Sequence, residues 1–322
     1  MPVPTTDHRR HHAVPARRSL GLPRALADFE RRGFRLDRPV DRAVLEGHAR
    51  AFLDGFDLAA RHWRDPHPAL ATVPAPERGF AYEGAGMHAA IRDTLTAGRA
   101  GALARLLDGP GHGYVHLVHV GYGWAPALLR LPLPVPLAPT PLLRWLALDG
   151  TGFAETFFGG RAALRHRTAS RRTGRRWAAR VAGCGRALWF LESAHVPGVV
   201  REVAAAAPAA QPHLWSGVGL AATYAGCAGP DEVTALLEAA GPHGDHLRQG
   251  VMFGATARAR SGVVPAHTSD VAWTTLGAAP EDIGRWTDEA AIGLVDDPHV
   301  DAYDTWKARL RAKAATRRVV AR

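Results

Sequence analysis

A glycine pair recurs along this 322-residue chain and constrains its fold more than any other feature. It stands as Gly84-Ala85-Gly86, Gly121-Tyr122-Gly123, Gly150-Thr151-Gly152 and Gly217-Val218-Gly219, with weaker forms at Gly183-Cys184-Gly185 and Gly250-Val251-Met252-Phe253-Gly254. Successive lead glycines are 37, 29, 33, 34 and 33 residues apart. That is about the length of one helix–turn–helix unit. Glycine lets a helix start or stop abruptly and lets two backbones approach closely. The residues after each pair are small or apolar and run on at helical spacing, as in Met87-His88-Ala89-Ala90-Ile91 and Leu220-Ala221-Ala222-Thr223-Tyr224. The pattern predicts a mainly α-helical, single-domain, repeat-like stack of helical hairpins with the Gly-x-Gly pairs at the turns. A few short strands fit the alternating, β-branched stretch at residues 114–120. None of the pairs extends to G-x-G-x-x-G after a strand, and no G-x-x-x-x-G-K-[ST] occurs, so nucleotide binding has no support.

Charge first suggests a nucleic-acid partner, at a net +10. Its distribution removes that suggestion. Residues 1–18 carry +3, residues 161–180 carry +8 and residues 307–322 carry +7, leaving a body of −8. Like-charge blocks of this kind are most often solvated segments, and no nucleic-acid motif accompanies them. Only two of the 40 basic residues are Lys and the chain has no Asn, so much of the Arg content reflects a GC-rich coding bias. No uninterrupted apolar run is long enough to span a bilayer. His8-Arg9-Arg10-His11-His12 stands where a signal peptide would need its apolar stretch. Two Cys in this length exclude a disulfide scaffold. A cytoplasmic protein is expected.

The domain boundaries follow the same signals. Residues 1–20 read as a flexible basic arm, 21–306 as one helical domain and 307–322 as a basic tail. Proline at the density of residues 132–141 demands an extended connection.

The pairs bring polar and bulky groups to matching places. Glu83 and Asp149 are the candidate acid/base pair, because enclosure by aromatic residues raises a carboxyl pKa toward neutrality. His119 and Tyr122 are candidates to orient or protonate a substrate oxygen. Tyr82, Met87, Trp124, Phe153, Trp215, Ser216 and Tyr224 are candidates to line an apolar, aromatic-binding pocket. The competing reading makes Glu83 and Asp149 helix N-caps. His112, His116 and His119 have metal-ligand spacing on a helix but lack a nearby Cys or paired carboxylate, so no metal and no cofactor is expected. Cys184 and Cys227 read as small buried hydrophobes. Asp296-Asp297-Pro298-His299 has the acidity of a metal–diphosphate motif, but Pro298 breaks the helix that such a motif needs.

The strings RGFAYEGAGM (78–87), HVGYGWA (119–125), PLLRWLALDGTGF (141–153), GRALWF (185–190) and LWSGVGLAATYAG (214–226) resemble a family described as domain of unknown function 1702, over roughly residues 28–310. The resemblance implies an actinobacterial protein encoded in a biosynthetic cluster for enediynes or other specialised metabolites. It further implies late assembly chemistry, including carbon–carbon coupling of anthraquinone-fused enediynes without an evident cofactor. The His-rich tail and the Arg run after Gly160 depart from that pattern. The expected function is a cofactor-independent enzyme acting on a large polycyclic or aromatic intermediate. Its partner is that small molecule, with no nucleic acid and no membrane, and a homodimer is left open. A non-catalytic protein that sequesters a reactive intermediate, or a helical scaffold for pathway proteins, stays open beside it.

Overall fold

The structure, a computed structural model, describes residues 21–129, 140–169 and 173–317. The arm at 1–20, most of the proline-rich connection and the last five residues lie outside the described residues. The glycine pairs organise seven helices: α1 (Pro39–His62), α2 (Arg78–Leu95), α3 (Val115–Tyr122), α4 (Leu146–Thr168), α5 (Arg175–Leu191), α6 (Gln211–Ala225) and α7 (Gly244–Ser261). Short helices connect several of them. Helix α1 shows the local logic. Pro39 occupies its first position, Asp41 its first turn, and Arg61 and His62 its last, so charge and ring geometry agree with the helix dipole.

The pairs do not form turns. All but Gly123, which caps the C-terminus of α3, stand within helices. Residues two apart on a helix point about 200° apart. One glycine of each Gly-x-Gly pair therefore faces the preceding helix and the other faces the following one, whereas Gly250 and Gly254, four apart, both face α6. The contacts are reciprocal at six successive interfaces. Gly84 lies against the Phe52 carbonyl while Gly55 lies against that of Ala81; Gly121 meets Glu83 while Gly86 meets Val118; Gly150 meets Val120 while Gly123 meets Ala147. The series continues with Gly183 on Asp149 and Gly152 on Arg180, Gly217 on Ala182 and Gly185 on Leu214, and Gly250 on Ser216 and Gly219 on Leu247. In every case the carbonyl belongs to the residue three before the partner helix's own glycine. A methyl group at any of these glycines would sit only 1.8–2.4 Å from that oxygen. The spacing that resembles a turn signal is thus a rule for helix–helix contact.

No strand occurs among the described residues, and residues 114–120 are helical rather than extended. Helix α8 (Pro280–Ala291) and helix α9 (Val300–Ala315) complete the domain. Trp306 donates its indole N–H to the Thr287 carbonyl at 3.0 Å and packs on Phe253, and Lys307 and Leu310 are buried. The packed chain therefore extends past residue 306, into the segment read as a basic tail. The Arg run is also partly structured: Arg161 pairs with Glu192 at 2.6 Å, Arg167 with Glu155 at 2.5 Å and Arg175 with Asp301 at 3.0 Å.

Alanine normally gains about 1 kcal/mol over glycine inside a helix. Gly47 in α1 has nothing within 4 Å of an added methyl, so Gly47→Ala is expected to stabilise by roughly 0.5–1 kcal/mol in chemical denaturation. Gly150→Ala forces its methyl into the Val120 carbonyl and is expected to destabilise by about 2 kcal/mol or more. Equal effects at the two sites would refute the contact rule.

Candidate active site

On each paired helix the residue before the first glycine and the residue three after it point within about 40° of each other. These positions hold Glu83 and Met87 on α2, Trp124 just after α3, Asp149 and Phe153 on α4, and Arg186 on α5. Five of these six side chains meet. Arg186 donates to Asp149 at 2.5 Å and to Glu83 at 3.4 Å, and its guanidinium lies 4.9 Å from the centroid of the Phe153 ring. The Trp124 indole N–H donates to the same Glu83 oxygen at 3.1 Å. All are buried. Neither carboxylate caps a helix, since both side chains are spent on Arg186.

This polar group borders an aromatic slot. Glu83 and Arg186 share its lining with Phe52, Phe80, Trp124 and Phe153, and with Phe157, Phe158 and Phe190. The rings are mutually packed: Trp124 lies 4.3 Å from Phe52 and 5.0 Å from Phe153, centroid to centroid. Gly160 takes φ +61°, a left-handed value that breaks α4 just beyond Phe157 and Phe158. Leu22 and Leu26, flanking and within the 3-10 turn Arg24–Ala27, also line it. The slot holds about 500 Å³ of empty space, mouth included.

His48 forms part of the wall. It stacks on Phe80 at 4.2 Å and bonds Glu77 at 2.7 Å and the Ala225 carbonyl at 3.0 Å.

Electrostatics follow from one guanidinium serving two carboxyls. Burial raises the pKa of Glu83 and of Asp149, and Arg186 pulls both back. Asp149 has the shorter contact, so it holds the charge opposite Arg186. Glu83 has the longer contact with the guanidinium, and loss of solvent holds its carboxyl above the usual carboxylate range.

The structure does not bring the remaining candidates to this group. His119 bonds Thr140 Oγ1, and burial lowers its pKa to about 4, which keeps it neutral. Tyr122 packs beside the second core and its phenol is pushed up to about 12 by burial and Asp93. Tyr82 belongs to that second core, stacked on Tyr114 at 4.2 Å and bonded to His67 at 2.9 Å. Trp215 and Met87 are packed in the main core. Ser216 bonds Gln249 at 3.2 Å, further along the stack. Tyr224 lies behind the slot, edge-on to Phe80 at 5.2 Å, with burial raising its phenol to about 12. Among the described residues no three His, Cys, Asp or Glu side chains form a group that could hold a metal ion. Arg186 is the residue that sequence reading missed. Its signal lay in GRALWF, where it occupies the place that Trp124 and Phe153 take in their own pairs.

The chain belongs to the family described as protein of unknown function (DUF1702), whose model matches residues 14–314. No curated protein and no solved structure matches it. No described helix is long and apolar enough to cross a membrane.

Protonation of Glu83 has a measurable consequence. Its folded pKa is raised above the ordinary 4.5, so the folded chain binds that proton more tightly than the unfolded chain. The resulting stabilisation is complete below the ordinary carboxylate range and is lost as pH rises through the raised value. Glu83→Gln removes this titration, so its unfolding free energy should fall less than that of the parent between about pH 5 and about pH 8. Parallel curves would contradict the assignment. Arg186→Met leaves two buried carboxyls without their cation and is expected to cost about 3–5 kcal/mol near neutral pH and less in acid.

Proposed function

We propose that this protein binds a flat aromatic or polyunsaturated intermediate in the aromatic slot and acts on it by acid–base chemistry. The observation that carries the reading is the buried Glu83–Arg186–Asp149 group at the wall of a slot otherwise lined by rings. A neutral carboxyl facing an apolar slot is a proton donor suited to a carbonyl or epoxide oxygen. Arg186, which bonds both carboxyls, positions Glu83 and partly offsets the charge left when its proton departs. These residues supply the proton transfer themselves, so the reading calls on no cofactor. The reaction class is assembly of a specialised metabolite of the enediyne type, with carbon–carbon coupling as the step that the family resemblance implies, in a cytoplasmic setting. The ring-lined wall favours a planar substrate, which can stack on its aromatic side chains.

A soluble anthraquinone is the first probe. It should quench tryptophan fluorescence saturably, and Phe153→Ala should weaken that binding at least about tenfold through lost ring contact. The natural substrate comes from deleting the gene in its host and isolating the metabolite that accumulates. With that compound, Glu83→Gln and Asp149→Asn should bind within about twofold of the parent and turn over at least about 100-fold more slowly. Binding with no turnover by the parent protein makes this a sequestering protein. Normal turnover by both variants refutes the proposed site.

A further inference from the structure

We infer that the cavity at which α4, α5 and α9 begin is a binding site for a phosphate group. The cavity holds about 450 Å³ of empty space, mouth included, and its lining includes Arg144, Trp145, Arg176, His299, Val300 and Asp301. Trp145 ends the 3-10 turn Leu143–Trp145 that leads into α4, Arg176 is the second residue of α5, and Val300 is the first of α9. The positive ends of three helices therefore meet here. The shortest of the three, α9, has 16 residues. No side chain caps α5 at Gly174 or α9 at His299, so first-turn N–H groups are left for another acceptor.

The side chains add charge of the same sign. The guanidinium groups of Arg144 and Arg176 each lie 5.2 Å from the centroid of the Trp145 ring. Neither has a carboxylate at ion-pair distance among the described residues. Asp301 is the carboxylate of the lining, and Arg175 already pairs with it at 3.0 Å. Asp297, close by in the chain, accepts the backbone N–H of His299 at 2.8 Å. Two cations are thus held beside one ring without an anion of their own. The ring attracts them but does not serve the N–H groups in the guanidinium plane. Trp145 itself is only 3% exposed, and its indole N–H has no acceptor among the described residues; the Nε of Arg144 is shut off from solvent and unbonded in the same way. Buried donors without acceptors are costly. A phosphate dianion matches both positive charges, and its oxygens accept from guanidinium forks and helix ends together. A carboxylate would answer only one of the two charges. Arg176 lies in the Arg run at residues 161–180, so part of that charge has a place to act. The cavity shares no lining residue with the aromatic slot, and the site stands independently of the proposed chemistry.

Titration of the isotope-labelled full chain with inorganic phosphate, against chloride at matched ionic strength, is the test. Binding is read by nuclear magnetic resonance at the Trp145 indole N–H signal, which its loss in Trp145→Phe identifies. We expect that signal to move saturably with phosphate and to stay in place with chloride. Arg176 is exposed, so Arg176→Gln is expected to fold, which thermal unfolding verifies. It should weaken phosphate binding at least about tenfold, the loss of one charge-assisted contact. Arg99→Gln removes an exposed charge outside the cavity and should leave the affinity within about twofold. Phenyl phosphate binding more tightly than inorganic phosphate assigns the cavity to an organic monoester, and the reverse order assigns it to the free ion. A Trp145 signal that answers phosphate no more than chloride overturns the proposal, as does phosphate binding that Arg176→Gln weakens no more than Arg99→Gln does.

Discussion

Everything in this molecule hangs on the contact between a glycine on one helix and a backbone carbonyl on the next. Each such contact comes with its reciprocal, so a pair of helices is fixed at two points and cannot slide or rotate freely. The spacing of two residues is what makes the scheme propagate. One glycine per neighbour on near-opposite faces lets a helix be held on both sides by the same local sequence. Glycine lowers helix propensity by about 1 kcal/mol each, and packing of this closeness has to outweigh that loss. Twelve glycines obeying one rule across six interfaces show that it does.

The site follows from the same geometry. Once the glycines are fixed on the neighbouring helices, the residues just before and three after them have no freedom to point elsewhere. Glu83, Trp124, Asp149, Phe153 and Arg186 meet because they occupy those positions on consecutive units. Where these positions hold rings, an aromatic slot results. Where they hold two acids and one base, burial raises both carboxyl pKa values and Arg186 pulls them back. The chemistry proposed for the slot therefore depends on the helix contacts as directly as on the side chains themselves.

How much of this was legible in the sequence can be judged residue by residue. The helical class and the period of about 33 residues were legible, because glycine, alanine and apolar spacing report local structure. Whether the pairs made turns or close helix contacts was not. Glycine is suited to both, and only the identity of the opposing surface decides. That ambiguity explains why Tyr82, His119, Trp215 and Tyr122 were expected at the site. Tyr82, His119 and Trp215 all stand two before a lead glycine, about 100° round the helix from the position of Glu83 and Asp149. Tyr122 stands between two glycines and is turned the other way. Read as turn residues, all of these could converge; read on helices, they cannot. Arg186 went unseen because its pair is among the weaker copies and because an Arg within an apolar string resembles a surface charge. Its two acid partners lie 37 and 103 residues away, a separation no local pattern reports.

The proposed chemistry rests on one guanidinium serving two buried carboxyls, and it requires Glu83 to keep its proton at neutral pH beside the apolar slot. Infrared difference spectroscopy tests it most directly, comparing the parent chain with Glu83→Gln at neutral pH. The account predicts a carboxylic-acid carbonyl band in the parent that disappears in the variant and shifts on exchange into deuterium oxide. Loss of carboxylate bands alone, with no acid carbonyl band in the parent, would show Glu83 ionised and contradict the account.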